Sequence, residues 1–167
     1  MKTILYNYRS GREIVPKELL EGVIRILEGM DHRLGKYEIR RFKDRLSDQL
    51  QMQGWPGPVN LSATSSITIT SLYRRVGLCA QTGNMARMYA DLLKLQALYL
   101  DENLKAAIYL VPTKACANAF GGNVANYERF LNELRNIFSR VITVPMVVIG
   151  FDNEKEASHG PAPSDVR

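Results

Sequence analysis

Histidine and cysteine are scarce in this 167-residue chain: it holds His32 and His159, Cys79 and Cys116, and no others. Two histidines exclude a His-rich metal cluster and speak against a Ser-His-Asp triad. The two cysteines show no framework spacing, so reduced thiols in a cytosol-like compartment, and hence a cytoplasmic location, are the expectation. No apolar run approaches the ~20 residues that a membrane span needs. Met1-Lys2-Thr3-Ile4 does not open the long apolar stretch of a secretory signal. Gly83-Asn84 and Gly121-Gly122-Asn123 lack the spacing that brings backbone N–H groups around a phosphate, which makes them ordinary loops. The most informative absence is of acid. Between Gln49 and Ala90 there is no Asp or Glu, although Arg74, Arg75 and Arg87 fall inside that stretch.

What is present fits one ordinary domain. Hydrophobic residues make up 46% and charged residues 23%. A chain of this length buries roughly 70% of its unfolded surface and needs no staple. The net charge of +5 favours a polyanionic partner, though a solvated basic surface gives the same sum. Positive charge concentrates in Lys36-Tyr37-Glu38-Ile39-Arg40-Arg41-Phe42-Lys43-Asp44-Arg45. On a helix Arg41 and Arg45 point together, and Arg40 and Lys43 form a second pair. Either pair can track phosphates while the other stays in water.

Periodicity lays out the elements. Residues 4–8 read as a strand before the Ser10-Gly11 turn. Pro16 opens a helix with Leu19, Leu20, Val23, Ile24, Leu27 and Met30 at helical spacing. That stripe either packs wholly on the chain's own sheet or partly faces a second copy. A second helix covers 37–51 and ends at Gly54-Trp55-Pro56-Gly57-Pro58. Strands are expected at 67–70 and 75–81, with 71–74 as their connection. Thr82-Gly83-Asn84 caps a helix over 85–100. A doubly covered strand follows at 106–111, then a short helix or turn at 113–120, a helix at 126–138 and a last strand at 141–151 with Pro145 as an irregularity. Residues 1–152 thus form a single α/β domain with a mixed sheet flanked by helices, and 153–167 are expected to be a disordered tail.

Five blocks stand out in order: Arg75-Val76-Gly77-Leu78-Cys79-Ala80-Gln81-Thr82-Gly83-Asn84, Tyr89-Ala90-Asp91-Leu92, Ala107-Ile108-Tyr109-Leu110-Val111-Pro112, Asn126-Tyr127-Glu128, and Val144-Pro145-Met146-Val147-Val148-Ile149-Gly150. Together they resemble the BglII/BstYI group of type II restriction endonucleases. The resemblance implies the PD-(D/E)XK nuclease fold and a homodimer that clasps duplex DNA. It also implies an active site with an Asp on one strand and, nine residues later, Glu-x-Gln on the next. Phosphodiester hydrolysis in this scheme uses Mg²⁺, which takes carboxylate oxygens. In this chain the family Asp falls on Thr70, the Glu on Cys79 and the Gln on Gln81. Both carboxylates are gone, and the acid-free stretch leaves no shifted register to restore them. Thiol and hydroxyl are poor Mg²⁺ ligands.

The implied activity is therefore DNA binding without cleavage, with no cofactor expected. Base contacts are expected from Asn84, Asn123 and Asn126 in the loops flanking the cleft, since Asn suits adenine. Phosphate contacts are expected from Arg41 and Arg45. A competing reading keeps a Mg²⁺-dependent nuclease whose metal site has moved to Asp91, with Glu18 or Glu21. Another is a non-catalytic interaction or regulatory protein using the old dimer face. Cys79, inside an apolar strand, reads as a small buried hydrophobe rather than a nucleophile.

Overall fold

The structure is a computed structural model that describes residues 1–30, 35 and 37–153. Residues 154–167, nearly all of the expected tail, lie outside the described residues, as do His32 and Lys36.

The sheet is built around the most apolar segment. Strand β6 (Ala106–Pro112) is buried along its whole length. It pairs in parallel with β5 (Val76–Ala80) on one side and β7 (Met146–Asp152) on the other. Strand β1 (Lys2–Tyr8) closes one edge antiparallel to β7, and β4 (Ser71–Tyr73) closes the other antiparallel to β5. The spatial order is β1-β7-β6-β5-β4. Because side chains alternate along a strand, each strand feeds two cores. Leu78, Ile108, Leu110, Val147 and Ile149 enter one; Cys79, Tyr109, Val111 and Val148 enter the other.

Helices cover both faces. On the first lie α2 (Lys17–Glu28) and α3 (Ile39–Met52), which bring Leu19, Leu20, Val23 and Leu27, then Phe42, Leu46 and Leu50. On the second lie α4 (Met85–Leu100), with Met88, Leu92 and Leu95, and α6 (Tyr127–Asn136), with Phe130 and Leu134. Each such side chain contributes about 1.5–3 kcal/mol of transfer free energy. Between β1 and α2 the short α1 (Gly11–Ile14) lies so close to β7 that a Cβ on Gly11 would collide with the Met146 backbone. The short α5 (Lys114–Phe120) follows β6, capped by Thr113.

The α2 stripe is spent inside this architecture. Leu19, Leu20, Val23, Leu27 and Met30 are buried in the chain's own core, with Ile24 partly buried against it. The exposed apolar face is on α4 instead. Ala86, Ala90, Leu93, Ala97 and Leu100 are all exposed along it, and the two leucines are 65% and 69% accessible.

Two strand assignments need correction. The expected strand at 67–70 and its connection are divided differently. A two-residue strand, β3 (Thr68–Ile69), leaves the main sheet to pair with β2 (Val59–Asn60). Residues 71–74 are not a connection, because β4 forms a hairpin with β5 in which Tyr73 faces Val76. Its turn puts both Arg74 (φ 50°) and Arg75 (φ 64°) in the left-handed region. That is the two-residue geometry a hairpin's twist demands, here without the usual Asn-Gly signal. The last strand begins at Met146, not Val141. Gln96 Oε1 accepts the backbone N–H groups of Thr143 and Val144 at 2.7 and 3.1 Å, so those donors serve a helix side chain rather than a ladder.

Candidate functional site

The three positions singled out by the sequence converge. Thr70 sits in the break between β3 and β4, and its Oγ1 accepts the Ala80 N–H at 3.0 Å. Cys79 and Gln81, two residues apart at the end of β5, both face α4. Gln81 Nε2 donates to Asp91 Oδ2 at 2.6 Å, and Gln81 Oε1 accepts the Gly83 N–H at 2.7 Å. Lys94 Nζ donates to Asp91 Oδ1 at 2.9 Å. The Tyr109 hydroxyl stands 3.5 Å from Asp91 Oδ2. Asp91 therefore does reach the site. Glu18 and Glu21 do not: on α2, across the sheet, they pair with Arg74 and Lys17.

A cavity of about 420 Å³ opens here between α3 and α4. Thr70, Gln81, Asp91 and Lys94 line one side, with Arg87 beside them and Lys43, Asp44 and Ser47 of α3 opposite. Cys79 lies behind this wall at 1% exposure. Burial pushes its thiol well above the usual range, and the Asp91 charge adds to the effect. The same two causes, in the same order, raise the Tyr109 phenol. Both groups are protonated at neutral pH, so Cys79 offers no thiolate nucleophile.

The donor set does not fit Mg²⁺. That ion needs several oxygen ligands in near-octahedral geometry. Thr70 Oγ1, Gln81 Oε1 and both Asp91 oxygens each accept a hydrogen bond from this chain's own donors. The remaining family position supplies a buried thiol. Among the described residues, no three His, Cys, Asp or Glu side chains are grouped to hold a metal ion.

The expected DNA contacts are divided by the fold. Phe42, Leu46 and Leu50 fix the inner face of α3. Lys43 and Ser47 then stand on the cleft side. Arg40 shares that side, whereas Arg41 and Arg45 point away, roughly 160° around the helix from Lys43 at about 100° per residue. Arg45 lines a separate groove with Arg25 and Asp48. The two loops are brought together by a bridge between Asn84 and Val124 and by the Ala125 N–H to Gly83 O bond at 2.8 Å. Asn84 and Asn126 cap α4 and α6, accepting the Arg87 and Arg129 N–H groups at 3.1 Å each. Those carbonyl oxygens are committed to the caps. Asn123, at φ 61°, is exposed at the loop turn. Sequence reasoning missed Lys94 and Tyr109. The Asp91/Lys94 spacing of three was the signal available for the first.

The model of the family described as restriction endonuclease BglII/BglIII matches residues 3–151. The chain belongs to this family. Its fold is that of restriction endonuclease BglII. The crystal structure of BglII complexed with a DNA 16-mer superposes with a TM-score of 0.82 at 16% identity, covering 93% of this chain and 78% of that one. Free BglII gives 0.76 at 16% identity, with 93% and 82% covered. No curated protein matches by sequence. In this member of the BglII family, the positions that the resemblance gives to the two carboxylates carry Thr70 and Cys79.

Proposed function

We propose that this chain binds duplex DNA in the cleft between α3 and α4 and does not cleave it. The reading is supported first by the likeness to a BglII structure that contains DNA. It is carried by the state of the site, where every side-chain oxygen at the three family positions and on Asp91 already accepts a hydrogen bond within the chain. Lys43, Arg87 and Lys94 against Asp44 and Asp91 leave the cavity lining net positive, which suits a phosphodiester backbone. Homodimerisation is part of the proposal. Its contact is the exposed Ala86-Ala90-Leu93-Ala97-Leu100 face of α4, whose small residues let a second helix approach closely.

Two assays on pure protein test this. Plasmid DNA with Mg²⁺ should remain uncut, and a labelled duplex should bind with a steep salt dependence. Bound phosphates release counterions, so log affinity should fall by roughly 0.9 per contacted phosphate for each tenfold rise in salt. Site-specific, Mg²⁺-dependent cutting that Asp91→Ala abolishes would replace this reading with the migrated nuclease. No duplex binding at low salt would replace it with the interaction protein.

A further inference from the structure

The acid lost from the strands is matched by a cation on the helix beside them. Arg87, Asp91 and Lys94 are spaced four and three apart, so they share one face of α4, and all three line the cleft. The Lys94 side chain is 23% exposed and the Asp91 side chain 12% exposed. Their ion pair is therefore mostly enclosed, yet both residues line the cavity. Asp91 Oδ2 is held by Gln81 and Oδ1 by Lys94, so a divalent ion at this carboxylate would have to share it with the ammonium against the repulsion of like charges.

We propose that Lys94 is a built-in cation that takes the place of a divalent metal. It neutralises Asp91 and, beside the Arg87 charge, turns its remaining N–H donors to a phosphate of duplex DNA in the cleft, so that binding needs no divalent ion. This rests on the DNA-binding reading of the cleft. A free carboxylate there would repel the phosphodiester backbone, and the Lys94 ammonium removes that repulsion without a divalent ion. Lys94 is a ligand-binding and positioning residue here. The chemistry it recognises is a backbone phosphate, without base preference.

The test has two arms. In the first, Mn²⁺ is titrated calorimetrically into wild-type protein and Lys94→Met without DNA. Wild type should give no binding at millimolar Mn²⁺. Lys94→Met, which keeps an unbranched stem and frees Asp91 Oδ1, should bind at least tenfold more tightly. In the second, duplex affinity is measured with and without millimolar Ca²⁺ for wild type, Lys94→Met and Lys94→Arg. Wild type and Lys94→Arg should be indifferent to Ca²⁺. Lys94→Met should bind more weakly, with a salt slope flatter by about one, and should recover when Ca²⁺ is added. A merely structural lysine would show no such recovery. Mn²⁺ binding by wild type, or duplex binding that requires a divalent ion, overturns the proposal without any variant. So does a folded Lys94→Met that neither gains metal nor changes its slope. If no form binds duplex, the DNA-binding reading falls, while the Mn²⁺ arm still decides whether Lys94 blocks a metal.

Discussion

Removing the Asp91 carboxylate separates a structural hub from a strained catalytic ligand. Asp91→Ala strips the acceptor from Gln81 Nε2, Lys94 Nζ and the Tyr109 hydroxyl at once. Gln81 is 6% exposed, so its amide loses a partner in a largely buried position, and a buried unsatisfied donor costs about 1–3 kcal/mol. Lys94, at 23%, can swing into the cleft and loses about 0–1 kcal/mol. The Tyr109 contact is long at 3.5 Å and adds about 0.5 kcal/mol at most. The expected loss is therefore about 2–4 kcal/mol, or roughly 5–12 °C in Tm for a domain of this size. Asp91→Asn keeps the shape and one acceptor oxygen, which can serve Gln81 or Lys94 but not both. It should cost about half as much. Urea unfolding at neutral pH, with the slope m unchanged, measures both variants. Catalytic carboxylates held ready for a metal often sit in destabilised arrangements, and removing one stabilises the fold. A neutral or stabilising Asp91→Ala would refute the reading of Asp91 as an internally satisfied group.

Four further outcomes are expected. Arg40→Ala/Lys43→Ala should flatten the salt slope of duplex binding by about one to two, whereas Arg41→Ala/Arg45→Ala should leave it nearly unchanged. Gly11→Ala should lose about 1–3 kcal/mol in chemical denaturation, because the atoms its methyl meets are backbone and cannot rotate away. Stability should be intact below about pH 9 and fall above it, since the unfolded chain ionises its Cys and Tyr groups near 9.0 and 10.0 while burial keeps Cys79 and Tyr109 protonated in the fold. Denaturant midpoints across pH 8–11 should show Cys79→Ala beginning this decline later than wild type. Leu93→Glu/Leu100→Glu should convert a dimer to a monomer by light scattering with little change in Tm.

Much of the fold was legible because strong apolar periodicity has few structural solutions. The helix at 85–100 and the central strand from Ala106 were placed to within a residue. The misplacements fall where a partner distant in sequence decides local structure. Val141 to Val144 reads as strand, yet Gln96 takes the N–H groups of Thr143 and Val144. Arg74-Arg75 carries no turn signal, yet pairing with β5 forces both residues to positive φ. At the site, strand alternation puts Cys79 and Gln81 on one face, whereas Thr70 is brought to them in the sequence only by the family resemblance. The hydrogen bond from Gln81 to Asp91, ten residues on, depends on how α4 docks against the sheet, which no local pattern encodes. The choice between the two basic pairs on α3 likewise turned on which face Phe42, Leu46 and Leu50 bury.

The pairing of β1 with β7 sets the order in which this protein can assemble. The Tyr8 hydroxyl donates to the Ile142 carbonyl across 134 positions of chain, and among the described residues β1 has no other strand beside it. During synthesis, at about 5–20 residues per second, β1 must wait several seconds or more for its partner to be made. Until then its ladder groups are open to water and to other chains. The hairpin of β4 and β5, by contrast, is local and can close as soon as it emerges. Such long-range closure slows refolding relative to helical proteins of the same size. A mutation weakening β7 would thus be felt first as aggregation of newly made chains, before any change in the finished cleft.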